Sequence, residues 1–443
     1  MAPRDEGTEI VSSIGMKYHT NRERFLPSAA DWLEGKRKDD NIEGLWRIHN
    51  GLYDLDSFIK NHPGGPDWLI ITKGTDITEA FETHHIKGVS EQLLSKFYVK
   101  SATTPRRSPL KFNENGFYRT LKKRIAEELP KIPKFVVQRS KLFADITVAF
   151  YILFCVLSTF SESYLLGALT GYVLALNINI SHNFIHMKNN FRMYYLDLSM
   201  LSSRDFRVVH ALSHHLFPNT IHDLEISMFE PVFFLLPQKK TQLRKYLSWI
   251  YALIFFPFIA IRAYTLNLII QRRIRINTLI PWIALATTYW LTGQPFFTCL
   301  KIFIWIILWG SFCFYLIGKT AAHHHPDIFH DGDDARSKDD LDFGAHQLDA
   351  VGDRPNINES PFLTLTNFGD HALHHLFPTI DHGMLPYLYP TFLKTCIEFG
   401  IEWKLFSSVE LVKGALQQLV REKTNKSLPP PLKKISTNSH NST

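Results

Sequence analysis

Long apolar runs divide this chain into two unlike parts. Residues 1–140 are polar and charged, whereas residues 141–320 contain several runs long enough to cross a membrane as helices. The runs come in closely spaced pairs, so the pattern predicts two transmembrane helical hairpins, each with a very short loop between its helices. The four runs cover about 142–160 and 164–180, then about 279–296 and 298–317.

A fifth apolar run, from Tyr246 to Ile261, is shorter and contains Pro257. We interpret it as an interfacial or re-entrant segment, because a full crossing would place the histidine groups described below on opposite sides of the bilayer. Lys and Arg precede the first and third runs and are almost absent from the two short loops. The positive-inside rule therefore places both termini and the histidine groups on the cytosolic side. Residues 1–10 are too polar for a signal peptide.

The remaining segments follow from composition and from the positions of prolines. We expect an N-terminal arm that is flexible or loosely docked, then a compact domain, then a basic linker whose prolines break regular structure and act as a semi-rigid spacer. The membrane domain runs on to a polar tail rich in Pro, Ser and Asn, which we expect to be disordered. These five segments cover residues 1–40, 41–100, 101–140, 141–420 and 421–443.

Charge and cysteine content exclude several classes of function. The net charge of +7, from 49 Lys and Arg against 42 Asp and Glu, is small for a nucleic-acid-binding protein, and no basic stripe interleaved with aromatic residues is present. None of the four cysteines forms a CxxC pair, which argues against a disulfide framework and against a thiolate metal site. We therefore expect a membrane as a partner and no nucleic acid.

Three groups of histidines dominate the chemistry of the second part of the chain. They are His182 and His186, then His210, His214 and His215, and finally His371, His374 and His375. On a helix, residues spaced i, i+3 and i+4 share one face, so the first group and the last group can each chelate one metal ion. His210 and His214 also share a face, and His215 is turned about 100° further, toward a neighbouring ion. Eight histidines exceed the needs of one metal ion, which predicts a dinuclear site.

A fourth histidine motif lies in the compact domain of residues 41–100. Residues 46–62, followed by Pro63-Gly64-Gly65, resemble cytochrome b5, and the likeness continues from Gly74 to Phe81 and on to residues 97–99. The resemblance implies that His62 and His85 bind the iron of haem b from opposite faces, with His84 as a rival for the second position. Because both axial positions are then filled, such a haem passes single electrons and does not activate oxygen.

The three histidine groups resemble the motifs of integral-membrane fatty acid desaturases and related hydroxylases. The run His374-His375-Leu376-Phe377-Pro378-Thr379 resembles the third motif of the cytochrome b5-fused desaturases, and the likeness covers most of residues 42–420. It implies a multi-domain fold: a small α+β haem domain, then an all-α membrane domain with two transmembrane hairpins and cytosolic helices. It also implies two non-haem iron ions held by the eight histidines, with a further ligand from His323, for which His324 and His325 are rivals.

The resemblance also implies partners and a location. A nicotinamide-dependent cytochrome b5 reductase would supply electrons, O2 and a fatty acyl lipid would be the substrates, and the protein would be a multi-pass protein of the endoplasmic reticulum membrane. An apolar tunnel among the membrane helices would hold the acyl chain, and five aromatic residues are candidates to line it. These residues are Trp282, Tyr289, Trp305, Trp309 and Phe314.

Three positions depart from the usual motifs of this family. Asn183 follows the first histidine where Asp is usual, the second motif is spaced HxxxHH rather than HxxHH, and His371 stands where Gln is usual. These changes leave metal binding intact and the reaction open. Acyl desaturation is the leading hypothesis. A lipid hydroxylase would use the same ligands, and a membrane-tethered haem electron carrier with an inactive desaturase-like domain is the third alternative.

Overall fold

The computed structural model describes residues 11–89, 91–230, 232–272 and 274–433. It contains a small mixed α+β domain followed by a helical domain, which confirms the predicted fold class. The polar segment of residues 1–10 and the part of the predicted tail from residue 434 to residue 443 lie outside the described residues.

The small domain is built on a three-stranded antiparallel sheet and is preceded by helix α1 (Ala29–Asp40). The strands, in spatial order, are β1 (Trp46–Ile48), β2 (Gly51–Tyr53) and β3 (Tyr98–Ser101). Three short helices complete the domain: α2 (Pro66–Thr72), α3 (Thr78–His84) and α4 (Glu91–Ser95). Trp46 is fully buried and its indole N–H donates to the Leu69 carbonyl at 3.2 Å, which fixes α2 against the sheet.

The helical domain carries its long helices in two groups, joined by shorter ones. It begins with α5 (Phe117–Glu128), α6 (Phe135–Phe160), α7 (Tyr164–Ile185), α8 (Ser203–Phe206) and α9 (Leu224–Ser227). It continues with α10 (Gln242–Phe255), α11 (Ile259–Thr265), α12 (Ile280–Thr292) and α13 (Phe296–Lys319). It ends with α14 (Phe343–Ala350), α15 (Pro355–Asn358), α16 (Pro361–Thr366), α17 (His371–Leu376), α18 (Tyr389–Phe399) and α19 (Ser408–Val420). Segments Arg207–His214 and Leu266–Ile270 are π-helical.

The predicted hairpins correspond to α6 with α7 and to α12 with α13, but α12, with 13 residues, is not among the described helices long and apolar enough to cross a membrane. A glycine lets α7 and α13 approach closely, since a Cβ on Gly171 would lie 2.6 Å from the Cβ of Trp309. Contacts through small residues stabilise helix pairs in membranes, where no hydrophobic effect drives association. The two hairpin loops lie at the same end of the bundle, because the Gln294 amide donates to the Phe160 carbonyl at 3.4 Å.

Among the described residues, four helical segments are long and apolar enough to cross a membrane. They are Phe135–Phe160, Tyr164–Ile185, Gln242–Ile269 and Phe296–Lys319. The third segment is interrupted at Pro257, and both of its ends bind residues outside the hairpins. Lys245 pairs with Glu422 at 2.9 Å, and the Asn267 amide donates to Asp205 at 2.6 Å. These contacts favour the interfacial or re-entrant interpretation. α12 is shorter, with 13 residues, and runs beside α6.

The described part of the N-terminal arm is docked on the helical domain, contrary to the expectation of a flexible or loosely docked segment. Trp32 is buried, and its indole N–H donates to the His222 carbonyl at 2.9 Å. Arg22 makes a two-pronged ion pair with Glu230, with N–O distances of 2.7 and 2.9 Å. The apolar face of α1 consists of few residues among many charged ones. The sequence pattern therefore does not predict that this helix packs on the domain.

The described part of the predicted tail, residues 421–433, is also attached to the domain. Arg421 pairs with Asp333 at 2.7 Å, and the Lys433 backbone N–H donates to the Phe399 carbonyl at 3.0 Å. The polar composition of this segment predicted disorder. The residues that bind it are distant in the sequence, so the local pattern does not reveal them.

The predicted basic linker, residues 101–140, is a folded element of the domain instead of a spacer. Its helix α5 carries a fully buried apolar stripe at i, i+4 and i+8 spacing, formed by Phe117, Leu121 and Ile125. The Tyr118 hydroxyl lies 3.4 Å from the Glu82 carbonyl oxygen of the small domain and 3.1 Å from the Leu376 carbonyl oxygen of α17. Helix α5 therefore joins the two domains, and the prolines flank it without interrupting it.

A packed α5 predicts resistance to proteolysis at its own basic residues. Trypsin should cut the native chain slowly after Lys122, because cleavage requires local unfolding of the helix. Leu121→Asp should make this bond labile in a timed digest read by mass spectrometry, since it loses at least the roughly 2–5 kcal/mol of a buried Leu→Ala change. Lys123→Asp places the same carboxylate on the exposed side and should leave the bond protected. Equal cleavage of the native chain and Leu121→Asp would show that the segment is a spacer.

Candidate metal centres

Five buried histidines form a first cluster, here called cluster A. Its members are His182, His186, His210, His215 and His374, and their ligand nitrogens all lie within 4.8 Å of one another. The Nε2 atom of His182 is central: it lies 3.0 Å from Nε2 of His186, 2.7 Å from Nε2 of His210 and 3.0 Å from Nε2 of His374. Cluster A therefore joins the end of α7, the π-helical segment and α17.

A second cluster, here called cluster B, consists of His214, His323, His371 and His375. The Nε2 atom of His323 lies 3.0 Å from Nε2 of His214 and 2.7 Å from Nε2 of His371. The ring of His375 stacks on the ring of His215 in cluster A, with centroids 4.0 Å apart. The two clusters are therefore in direct contact, as a dinuclear centre requires.

The π-helical segment explains how the unusual spacing of the second motif is accommodated. The His215 N–H donates to the His210 carbonyl, five residues back, at 2.9 Å. A turn of this width absorbs one extra residue inside a helix. His210 and His215 consequently meet in cluster A, and His214 joins cluster B. His210 and His214 also lie together with Glu225, with ligand atoms within 4.8 Å of one another, so the expectation that they share one ion stays a prediction beside this division into clusters.

The third motif is also divided between the clusters. In the α-helical α17, His371 and His375 are spaced i and i+4 and lie together in cluster B, whereas His374 faces cluster A. The expectation that all three chelate one ion is wrong, because the helix passes between the two clusters. Asp353 orients this helix: its carboxylate accepts the backbone N–H of His371 at 2.6 Å, and burial raises the pKa of Asp353 to about 6.

In several histidines, a hydrogen bond donated from Nδ1 leaves the lone pair of Nε2 available to a metal ion. A neutral imidazole that donates from Nδ1 has an unprotonated Nε2. Outer acceptors of this kind orient metal ligands and raise their basicity. The four pairs are His210 with Glu225 at 2.5 Å, His214 with Asp223 at 2.9 Å, His323 with the Ala350 carbonyl at 3.1 Å and His375 with Gln347 Oε1 at 3.1 Å.

The facing lone pairs fit bound cations. The Nε2 atoms of His214 and His323 lie 3.0 Å apart although both rings donate from Nδ1, so in their neutral forms no proton remains between them. The Nε2 atom of His375 is buried without a hydrogen-bond partner among the described residues. Two nitrogens bound at about 2.1 Å to one ion, at right angles, lie about 3 Å apart. The donor set consists of imidazoles, which suit iron.

Asn183, which stands where the family usually has Asp, links cluster A to residues near the end of the chain. Its amide donates to Asp381 at 3.0 Å, and its oxygen accepts from Nδ1 of His382 at 2.9 Å. The His382 ring lies 4.2 Å from the ring of His374. A carboxylate at position 183 would face Asp381, so an amide suits this site. His382, Asp223, Glu225 and Gln347 belong to no motif, which is why sequence reasoning missed them as partners of the clusters.

The structure distinguishes His323 from its two neighbours. His323 lies in cluster B, whereas His325 is half-buried and packs on Phe406 with ring centroids 4.5 Å apart. His324 is buried near His330, with ring centroids 6.1 Å apart, and does not belong to the group of nitrogens in cluster B. Among the described residues, His323 alone of the three joins the cluster.

A cavity of about 750 Å³ in the small domain contains the residues predicted to bind haem. His62 and His85 face each other across it with ring centroids 6.2 Å apart. Their Nδ1 atoms contact the carbonyl oxygens of Gly65 at 3.0 Å and Phe81 at 2.9 Å, so both Nε2 lone pairs are free for a metal. This span accommodates one ion bonded at about 2 Å to each nitrogen.

His84 occupies a different position from its neighbour His85. Its ring packs edge-on against Trp68 with centroids 4.9 Å apart, and its Nδ1 lies 3.0 Å from the Thr83 hydroxyl. Burial lowers the pKa of His84 to about 3, so the ring is neutral. The geometry therefore favours His85 as the partner of His62.

A smaller apolar pocket, of about 130 Å³, lies beside cluster B. His210, His214, His323 and His371 line it on one side, and Phe314 lines it on another. Among the described lining residues, Phe314 is the only one of the five aromatic candidates for the tunnel.

Comparisons with known proteins identify both domains. The sequence model described as "Fatty acid desaturase" matches residues 161–406, which is more than half of the chain. The chain belongs to the fatty acid desaturase family. A second model, described as "Cytochrome b5-like Heme/Steroid binding domain", matches residues 31–102. The predicted family is thus confirmed.

Two relatives align with this desaturase-family chain over most of its length. It is 41% identical to "Cytochrome b5-related protein" of Drosophila melanogaster over 428 residues, covering 94% of this chain and 97% of the relative. It is 21% identical to "Acyl-lipid (8-3)-desaturase" of Mortierella alpina over 413 residues, covering 82% of this chain and 91% of the relative. No solved structure matches the chain.

The wide turn in the second motif predicts different outcomes for two single-residue deletions. Deletion of Ala211 should turn the π-helical segment into a regular helix with the usual HxxHH spacing, and the chain should keep most of its non-haem iron. Deletion of Ala372 rotates His371 away from its partners in a regular helix and should remove most of that iron. The ratio of non-haem iron to haem in each purified variant is the measurement. Equal loss in both variants would contradict the role given to the wide turn.

Proposed function

We propose that this chain is an oxygen-dependent acyl-lipid desaturase with its own electron carrier. Two non-haem iron ions would bind clusters A and B, and haem b would bind between His62 and His85. The observation that carries the proposal is the convergence of Nε2 lone pairs in two touching clusters beside an apolar pocket. When bound, such an iron pair supplies the activation of O2 that removes hydrogen from an unactivated methylene.

The chain's own residues would position the reactants. His214, His323 and His371 line the apolar pocket, so the acyl chain meets the centre from the side of cluster B. Asp223 and Glu225 hold the rings of His214 and His210 in one tautomer, and the fully buried Asp223 excludes water from that side. His62 and His85 would hold the haem iron from both sides, and a haem held in this way would pass single electrons.

We infer the surroundings of the enzyme from its architecture. A nicotinamide-dependent cytochrome b5 reductase would reduce the haem. The endoplasmic reticulum membrane would hold the hairpins, with both termini and both clusters on the cytosolic side. The shared end of the two hairpin loops supports this topology, because it leaves the histidines together at the other end of the bundle.

The three candidate functions give different products. The chain and a cytochrome b5 reductase should be expressed in a host of simple lipid composition, and its acyl chains and sphingolipids profiled by mass spectrometry. A desaturase yields acyl chains that have lost two hydrogens. A product that has gained one oxygen would identify a hydroxylase, and an unchanged profile from a fully iron-loaded chain would favour the electron carrier.

A matched pair of neighbouring variants tests the histidines in the same assay. His323→Gln should lower product formation by more than about a hundredfold, because a direct ligand matters more than the outer partners whose loss costs about 10–100-fold. His325→Gln changes a nearby half-buried histidine that packs on Phe406, belongs to neither cluster and does not line the apolar pocket, so this variant should keep most of the activity. Equal activity of the two variants would contradict the ligand assignment.

A further inference from the structure

One wall of the haem cavity comes from the membrane domain. His186, Met187, Lys188, Leu212 and Thr379 complete its lining. His186 is a member of cluster A, so one histidine belongs both to that cluster and to the wall of the haem cavity. Within the described lining residues, the haem cavity includes none of cluster B, whose His214, His323 and His371 line the apolar pocket. Cluster A also reaches that pocket, through His210. The haem cavity therefore borders cluster A alone, whereas most of the histidines that line the apolar pocket belong to cluster B.

The junction between the two domains is fixed by backbone and side-chain contacts. The Asn189 N–H donates to the Gly64 carbonyl at 2.9 Å, which ties the turn after His186 to the turn after His62. Gly65 permits this approach, because a Cβ there would lie 2.4 Å from Cγ of Asn189. The haem domain is therefore held in place at the side of cluster A.

The rings of His84 and Trp68 lie at this junction between the two domains. His84 and Trp68 both line the haem cavity together with His186, and their centroids are 4.9 Å apart. The guanidinium of Arg207 lies 4.3 Å over the Trp68 ring and donates to the carbonyls of Ile185 and Met187, on either side of His186. Contacts thus lead from His84, the neighbour of His85, to Trp68 and on to Arg207, which binds the carbonyls on either side of His186.

The geometry points to an asymmetric centre, in which electrons leave the haem past His84 and Trp68 and enter at cluster A through His186, while cluster B faces the acyl chain. This assignment rests on the proposed function. Each transfer takes one electron from ferrous haem, which becomes ferric, to one ferric non-haem ion of cluster A, which becomes ferrous. No proton moves and no bond forms or breaks. His84 and Trp68 are positioning residues, since they would act through the cofactors on either side.

The test measures how fast the haem is reoxidised in the full chain loaded with haem and iron. The chain is reduced without oxygen and mixed with oxygenated buffer, and the haem absorbance is followed by stopped flow. His84→Leu should slow haem reoxidation several-fold, because the rate of electron transfer falls exponentially with the width of the gap that the lost ring leaves in the path. Haem content, iron content and the rate of haem reduction by the reductase should not change.

Two controls separate this route from a general effect on the small domain. Tyr98→Leu removes an exposed ring of the small domain that does not line the haem cavity, and it should leave the reoxidation rate unchanged. A chain with zinc in the non-haem sites sets the background rate, since zinc accepts no electrons. Trp68→Leu removes the second ring and provides the same test if His84→Leu does not fold.

The outcomes distinguish failure of this route from failure of the proposed function. A native chain that reoxidises at the zinc background rate, or that binds no non-haem iron, would remove the proposed function itself. If the native chain reoxidises its haem faster than the background and His84→Leu does so at the native rate, only the route is overturned. Loss of haem from His84→Leu would also overturn it, because His84 would then be a haem ligand.

Discussion

Both clusters depend on one electrostatic constraint, the presence of buried Nε2 lone pairs that face one another within hydrogen-bonding distance. His214 and His323 both donate from Nδ1 to other groups, so in the neutral form of both rings no proton is left to join their Nε2 atoms. Because unpaired polar groups are costly in a medium of low dielectric constant, the arrangement requires compensation. A cation between the nitrogens would provide it. The carboxylates of Asp223 and Glu225, and the wide turn of the second motif, make the convergence possible.

The same region determines how the haem domain is attached. Its Trp68 and Ile71 share one hydrophobic core with Leu121 of α5 and with Leu212, which lies beside the histidines of the second motif. A tether would only raise the effective concentration of the carrier, whereas a shared core also sets its distance and orientation. The fused haem would therefore deliver electrons from a fixed position. This view replaces the spacer predicted for residues 101–140.

Local patterns allowed much of this architecture to be predicted. Apolar runs indicated the hairpins, and the flanks of Pro63-Gly64-Gly65 indicated the haem-binding fold. The grouping of the histidines predicted a dinuclear site, but their division between clusters depends on the π-helical turn and on the passage of α17 between the clusters. Neither is visible in the sequence spacing. The docking of the arm through Trp32 and of α5 through Tyr118 depends on partners about 190 and 258 residues away, which no local pattern contains.

The central claim is that the facing lone pairs bind two metal ions in addition to the haem. Mössbauer spectroscopy of the chain purified after growth on iron-57, together with elemental analysis, tests it most directly. We predict roughly two non-haem iron ions for each haem, in a coupled pair, since eight or nine imidazoles exceed the needs of one ion. Haem iron alone, in a chain whose haem spectrum is intact, would contradict the claim.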